Sequence, residues 1–301
     1  MTILPKADGA RPAGTIVLDA GAAQAASRVA ADLGLPLAPL AGAPSGAVKL
    51  RAPRVGLYKP WAASLDEGWT RFLLERYGFA PVTLDNAAIR AGKLATKVDV
   101  LVLPDVEKEV IVTGKPKREE GEMRYFPEPR PEYAGGLGKE GAAAIREFVE
   151  GGGTLVALAS ASEYAIDELQ LPVRNVLGKV KAEEFLCPGT LVRIEVDASH
   201  PVTFGLPASL PAFLDGPLAF QTSMPGAEMT RTVLASYPAE ARDVLVSGWI
   251  RGEEKLVRNA AAVVLTPGKG KVVLLGFRSQ HRAQTNATFP FLFNALVWSV
   301  M

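Results

Sequence analysis

Residues 139–169 read KEGAAAIREFVEGGGTLVALASASEYAIDEL, and this stretch decides the fold class. Residues 139–150 carry apolar side chains at helical spacing and run into three glycines, which predicts an amphipathic helix that ends there. Thr154–Leu158 is an apolar run of the kind found in strands buried on both faces. A second helical pattern follows at residues 162–169. Helix, strand and helix in succession favour a parallel sheet with helices on both faces.

The same alternation extends in both directions from this stretch. Upstream and downstream, short apolar runs predict strands and longer periodic segments predict helices. The predicted strands are residues 55–58, 82–84, 98–103, 191–196, 218–222 and 232–237, and the predicted helices are residues 22–33, 66–77, 86–91 and 289–300. Residues 260–266 and 271–277 flank Pro267-Gly268-Lys269-Gly270, a pattern that predicts a β-hairpin. The sequence therefore predicts an α/β protein whose parallel sheet carries β-hairpin additions in the last third of the chain.

A boundary between two units is predicted near residue 53. Residues 1–53 contain a polar tail, one strand followed by one helix, and a linker rich in proline and glycine. Residues 54–301 form the second and larger unit. Within it, residues 115–131 are charged and proline-rich, and are interpreted as either a mobile loop or a functional flap.

Composition excludes several classes of protein. The chain has 301 residues, 48% of them apolar and 22% charged, with a net charge of +1. That proportion of apolar and charged residues is typical of a globular protein. A net charge this small provides no overall electrostatic attraction for nucleic acid or an anionic membrane surface. One cysteine, Cys187, and two histidines, His200 and His281, predict neither an internal disulfide nor a metal site. No apolar run is long enough for a membrane-spanning helix.

The expected location depends on whether the chain is complete. Its first residues, MTILPKADGARPAG, lack the apolar core of a signal peptide. As written, the chain is therefore expected in the cytoplasm. If it is a piece of an exported protein, the expectation changes to the periplasm or the exterior.

Ligands of open parallel sheets bind beyond the carboxyl ends of the strands, so the residues after each predicted strand are the candidates for a site. The sharpest candidate is the turn after Thr154–Leu158, where small residues lead directly into a helix as in a nucleophile elbow. Ser160 is expected at the apex of this turn, with backbone N–H groups of the helix start behind it. The alternative interpretation is that Ser160 or Ser162 caps the helix and that Glu163 lies in its first turn.

Further candidates follow the other predicted strands. Arg278, His281 and Arg282 form a cationic group after residues 271–277, which predicts either a carboxylate-binding or interdomain role or a solvated loop. Trp61 is expected at the rim of the site. The complete set of predicted ligand-binding residues is Ser162, Asp105, Trp61, Glu67, Arg278, Gln280 and Arg282.

Several sequence motifs, taken in their order along the chain, resemble motifs of known proteins. The segments GGGTLVAL at residues 151–158, VLLGFRSQHR at 273–282 and FLFNAL at 291–296 resemble a class I glutamine amidotransferase-like domain. More closely, RVGLY at 54–58, DEGWTRFLLE at 66–75 and GFRSQHRAQT at 276–285 are similar to the region that follows the peptidase module in bacterial zinc carboxypeptidases of the M14 family. The resemblance implies a flavodoxin-like fold.

The resemblance also bears on activity. An active amidotransferase of this class has a cysteine at the elbow, a histidine after a late strand, and an acid two positions beyond that histidine. Here those positions hold Ser160, His281 and Ala283. Without the thiol and the acid, glutamine hydrolysis is not expected. The His-x-x-Glu zinc motif of M14 peptidases is also missing around His200 and His281.

The resemblance therefore implies a non-catalytic binding or assembly domain that is accessory to an M14-type peptidase. Its expected partner is a peptidase module, a peptide or a glycan. No cofactor is implied, and a homo-oligomer is left open. The alternative is a hydrolase that uses a Ser160–His281 dyad oriented by Glu163 or Asp105.

Overall fold

A computed structural model describes residues 1–9, 11–42, 44–116, 130 and 133–301. Most of the predicted flap at residues 115–131 lies outside the described residues. The strands are β1 (Thr2–Ile3), β2 (Ile16–Val17), β3 (Val48–Lys49), β4 (Val55–Lys59), β5 (Val82–Asp85), β6 (Val100–Leu103), β7 (Thr154–Leu158), β8 (Val173–Asn175), β9 (Thr190–Val196), β10 (Ser209–Leu214), β11 (Phe220–Thr222), β12 (Met229–Ser236), β13 (Leu245–Ser247), β14 (Ala260–Pro267) and β15 (Lys271–Leu275). The α-helices are α1 (Ala23–Leu33), α2 (Leu65–Arg76), α3 (Asn86–Arg90), α4 (Leu94–Lys97), α5 (Lys108–Thr113), α6 (Gly138–Glu150), α7 (Ala161–Glu168) and α8 (Phe289–Trp298).

Five parallel strands form one half of the main sheet, in the order β5-β4-β6-β7-β15, with β5 at the edge. In order of appearance along the chain, this arrangement is the 2-1-3-4-5 order of flavodoxin-like sheets. Strands β6 and β7 are buried along their whole length, as expected for strands covered on both faces. The predicted fold class is confirmed.

The sheet continues as an antiparallel extension beyond β15. Strands β14, β12, β9 and β10 follow in that order, and β14 and β15 form the predicted hairpin around residues 268–270. Strand β10 is not predicted by the sequence, because Pro211 interrupts its pattern. Proline is tolerated there because β10 is the edge strand of this part of the sheet.

Helices cover the parallel strands on both faces. Helix α6 lies near α3 and α5, whereas residues at the end of α2 pack against α8. In this second contact, the Tyr77 and Phe293 ring centroids lie 4.8 Å apart. Apolar side chains on each helix therefore bury the apolar strands, as the periodicity of residues 139–150 predicts.

The turn between β14 and β15 packs closely on the end of α6. A Cβ atom added to Gly270 would lie 1.9 Å from the carbonyl oxygen of Val149. Only glycine fits this approach, since any side chain would overlap the helix backbone. The turn therefore ties the hairpin to the central helix–strand unit.

The N-terminal residues form a small separate sheet. Strands β2, β1 and β3 pair antiparallel, where the sequence predicts a single strand and a helix. This sheet packs through Ile3 and Leu50 against Phe204, with Val297 and Met301 alongside. The main core contains buried residues from Val55 onward. The predicted boundary near residue 53 remains a prediction.

Candidate functional site

An ion cluster centred on Arg278 lies at the carboxyl ends of the parallel strands. Its guanidinium Nε is 2.8 Å from Asp105 Oδ2, and its Nη2 is 3.3 Å from Asp215 Oδ2 and 3.7 Å from Asp66 Oδ2. Arg278 Nη1 is 3.5 Å from Nδ1 of His281. We call Arg278, Asp66, Asp105, Asp215 and His281 the Arg278 cluster.

The sheet brings these residues together from distant parts of the chain. Asp105 follows β6, Arg278 follows β15 and Asp215 follows β10. Asp66 lies in the first turn of α2, whose start is capped by Ser64 Oγ accepting from the N–H of Glu67 at 3.1 Å. The Arg278 N–H donates to the carbonyl of Phe213 at 3.0 Å, so the loop after β15 reaches the end of β10.

Three carboxylates around one guanidinium leave the cluster with excess negative charge. Burial, together with the neighbouring Asp105 and Asp215, raises the pKa of Asp66 to about 6 against the opposing effect of Arg278 and Arg282. Asp66 therefore exchanges a proton near neutral pH. Arg278, by contrast, faces three carboxylates of its own chain. The carboxylate-binding or interdomain role and the alternative of a solvated loop both remain predictions.

The turn after β7 differs from the predicted elbow by one residue. Ala159 takes the left-handed conformation, with φ of +45°, whereas Ser160 has the helical φ of −59°. The backbone N–H of Ser160 donates to Asp105 Oδ1 at 3.0 Å. Ser160 is half-buried, and its Oγ forms no hydrogen bond with another described residue. In a nucleophile elbow, the residue at this strained apex carries the nucleophile. Here the apex residue is Ala159, whose side chain is a methyl group.

His281 lies beside this turn, because β7 and β15 are adjacent and parallel. Its ring stacks on Phe213 with centroids 4.0 Å apart. Burial lowers its pKa, and the nearby Arg278 and Arg282 lower it further against the opposing effect of Asp215. The imidazole is therefore neutral at pH 7.

The predicted residues of α7 point to internal partners. Glu163 Oε1 accepts from Asn175 Nδ2 at 2.7 Å, which directs this carboxylate toward β8. Ser162 is fully buried, and its hydroxyl donates to the carbonyl of Ala157 at 3.3 Å. Both contacts are structural, and neither residue joins the Arg278 cluster.

The remaining predicted residues also have protein partners or lie outside the cluster. Glu67 is paired with Arg71, with Oε1 2.6 Å from Nη2. Gln280 is buried, and its Nε2 donates to Thr70 Oγ1 at 3.1 Å. Arg282 is exposed in a left-handed conformation, with φ of +50°.

Trp61 is half-buried and packs edge-to-face against Tyr133, with centroids 5.2 Å apart. Its indole Nε1 is buried and has no hydrogen-bond partner among the residues that the structure describes. An indole N–H normally finds a partner when it is buried. The partly exposed ring of Trp61 lies beside the carboxyl end of β4.

The sequence analysis does not predict two members of the Arg278 cluster. Asp66 enters that analysis only as the first residue of the helix predicted at residues 66–77, and Asp215 is not singled out because β10 is not recognised. The alternation of the buried residues Leu210, Ala212 and Leu214 is the signal that predicts β10 and places an acid directly after it.

The described residues contain no group of three or more His, Cys, Asp or Glu side chains arranged to hold a metal ion. Cys187 is buried, and burial raises the pKa of its thiol to about 11, which suppresses the reactive thiolate. Over the same described residues, no helix combines the length and apolar character required to cross a bilayer.

Comparison with known proteins shows similarity in structure only. No protein-family model matches the chain, and no curated protein matches it significantly. A glutamine amidotransferase from Thermotoga maritima is 14% identical with a TM-score of 0.44, over 81% of this chain and 82% of that one. A cytoplasmic protein from Salmonella typhimurium is 13% identical with a TM-score of 0.47, over 82% of this chain and 98% of that one. Identities and scores this low carry no functional conclusion.

Proposed function

We propose that this chain is a non-catalytic binding domain of the class I amidotransferase type. The observation that carries the proposal is Ala159 at the left-handed apex of the turn between β7 and α7. A nucleophile at this position would stand above the sheet at the start of a helix, where a developing anion is stabilised. Alanine has no group that attacks a substrate.

A hydrogen bond at the start of α7 supports the same conclusion. The carboxylate of Asp105 already accepts the N–H of Ser160, at the start of α7. An oxyanion hole must offer such N–H groups to the substrate. Here the carboxylate of Asp105 occupies the place that the substrate anion would take. Its Oδ2 lies 2.8 Å from Arg278 Nε.

The partner that we propose is a zinc peptidase module of the M14 type, which this domain would hold or position. The ordered motifs at residues 54–58, 66–75 and 276–285 support this partner. In the other form of this proposal, the domain binds a peptide or a glycan at the carboxyl ends of the strands. The partly exposed aromatic ring of Trp61 provides a contact for either ligand.

A serine-reactive fluorophosphonate probe tests the absence of a nucleophile. We expect no covalent labelling of the folded chain at pH 7 to 8, with mass spectrometry as the measurement. Labelling that disappears in Ser160→Ala but persists in Ser162→Ala would overturn the proposal. Ser162 is the matched control because it belongs to the same turn and its hydroxyl is already bonded to Ala157.

The alternative, a hydrolase with a Ser160–His281 dyad, is favoured by one observation. His281 is neutral at pH 7, as a general base must be. Under this alternative, His281→Gln would abolish probe labelling of Ser160 while the chain remained folded. The two proposals thus predict opposite results in the same experiment.

The peptidase association has its own test. A module with the His-x-x-Glu motif should be encoded upstream of this chain, in frame or in a neighbouring reading frame. Co-expression of that module with residues 1–301 should yield one complex in size-exclusion chromatography. Separate elution at about 10 µM of each component, above typical affinities of stable complexes, would contradict the association.

A further inference from the structure

A polar groove opens beside the start of β14, apart from the Arg278 cluster. Its volume is about 360 Å³, and β11, β12 and the residues that precede β14 line it. Phe220, Val233 and Val257 supply apolar contacts, while Gln221, Ser236 and Asn259 supply polar ones. The size falls within the range of small-molecule sites.

One arginine lines this groove, and two others, from different segments, contact side chains of residues that line it. Arg258 lines it directly. Arg174 on β8 donates from Nη2 to the side-chain oxygen of Gln221 at 2.5 Å, and Arg231 on β12 donates to the hydroxyl of Thr222. Both acceptors line the groove, so the two guanidinium groups lie at its border.

These guanidinium groups retain unused donors. All three arginines are exposed, and none forms an ion pair with a described residue. No residue that lines the groove is acidic. Each guanidinium has five N–H donors, and the contacts of Arg174 with Gln221 and of Arg231 with Thr222 use one donor each. This differs from Arg278, whose donors face three carboxylates.

Arg258 also adopts a backbone conformation that favours glycine, with φ of +59°. Left-handed conformations cost about 1 kcal/mol or more for residues other than glycine and asparagine, and such strain is concentrated at functional positions. Position 258 carries a large charged side chain, although glycine would adopt this backbone conformation at a lower cost in free energy. The backbone strain and the unpaired charge thus occur at the same residue.

We propose that this groove binds a small organic anion, whose carboxylate or phosphate oxygens are held by Arg258, Arg231 and Arg174. Planar guanidinium groups match the geometry of both oxyanions and bind them with charge-assisted hydrogen bonds. Val233 and Val257 contact the apolar part of the ligand. Ser236 and Asn259 hydrogen-bond its neutral polar groups.

Isothermal titration calorimetry with inorganic phosphate and with acetate at low ionic strength tests the proposal. We expect saturable binding of at least one of the two anions, and the tighter of them identifies a phosphate or a carboxylate as the natural group. Arg258→Gly should weaken this binding by about tenfold or more, as expected for the loss of a charge-assisted contact. Arg231→Met should weaken it as well.

The choice of glycine separates loss of binding from loss of folding. Arg258→Gly relieves the positive φ, so its melting temperature should equal or exceed that of the wild type. Arg28→Ala, at an exposed arginine on α1, is the matched control and should leave the affinity unchanged. Absence of saturable binding of either anion, or equal affinities in the wild type and Arg258→Gly, would overturn the proposal.

Discussion

Asp66 acquires an unusual protonation behaviour from residues that are far from it in the chain. It starts α2 as an ordinary helix-start acid, yet Asp105, Asp215 and Arg278 surround it in the folded protein. Burial is the largest cause of its raised pKa, because a desolvated carboxylate favours the neutral form. The protein therefore binds a proton at Asp66 more tightly than its unfolded chain does.

This raised pKa predicts the effect of Asp66→Asn. The stabilisation from protonated Asp66 is complete below about pH 4 and is lost as the pH rises through about 6. From pH 4 to pH 7, the free energy of unfolding of the wild type should fall by about 2 kcal/mol relative to Asp66→Asn. Urea titrations of both proteins at several pH values measure the difference. Parallel pH profiles would show that Asp66 titrates normally.

Asp99 shows the opposite shift. Its Oδ2 lies 2.5 Å from Arg51 Nη1, and its Oδ1 lies 2.7 Å from Arg54 Nη2. The hydrogen bond from Arg51, followed by those from Arg54, holds the pKa of Asp99 well below its usual range. The stabilisation is therefore present above about pH 4 and is lost as the pH falls.

We expect Asp99→Asn to lower the free energy of unfolding at pH 7 by about 1 to 2 kcal/mol, a modest amount because both arginines are partly exposed. The loss should shrink at pH 3, because Asp99 is then largely protonated in the unfolded chain but still charged in the folded one, so proton uptake favours unfolding of the wild type. Chemical denaturation at the two pH values measures it. Asp32→Asn, on the exposed part of α1, is the control and should cost nothing at either pH.

At the scale of secondary-structure elements, the contact between the β14–β15 turn and the end of α6 links the antiparallel extension to the parallel sheet. Lys271 N–H donates to the carbonyl of Gly153 at 3.1 Å, directly where β15 starts beside β7. The close approach of Gly270 to Val149 allows this hydrogen bond to form. Correct placement of β15 in turn positions Arg278.

Gly270→Ala tests this contact. The added methyl group would lie 1.9 Å from the Val149 carbonyl oxygen, so the turn must move away from α6. We expect a loss of about 3 kcal/mol or more in the free energy of unfolding, measured by urea denaturation. Gly226→Ala is the matched control, because a Cβ atom there meets no atom within 4 Å. Equal stability of the two variants would contradict the argument.

At the scale of the whole molecule, the two hydrophobic cores differ in size and origin. The main core draws its buried residues from Val55 onward, and the small one joins Ile3 and Leu50 to Phe204. The first 53 residues therefore add a contact surface to a core that is complete without them. The boundary near residue 53 stays a prediction.

A chain that comprises residues 54–301 should accordingly fold by itself. We expect one cooperative unfolding transition, with a melting temperature lower by roughly 3 to 8 °C because the Arg51 ion pair and the Phe204 contacts are lost. Differential scanning calorimetry measures it. Adding Phe204→Ser to the shortened chain controls for aggregation through newly exposed apolar surface. A broad, non-cooperative transition in both would show that the N-terminal segment belongs to one folding unit.

The sequence alone determined the α/β class, the parallel strands and the hairpin, because apolar runs and helical spacing are local patterns that burial imposes on each element. Tertiary structure alone decided which acids surround Arg278. Asp66, Asp105 and Asp215 lie far apart in the chain, and no local period encodes their meeting. It also decided that Ala159 rather than Ser160 takes the apex, since a backbone conformation depends on the exact residue at which the strand ends.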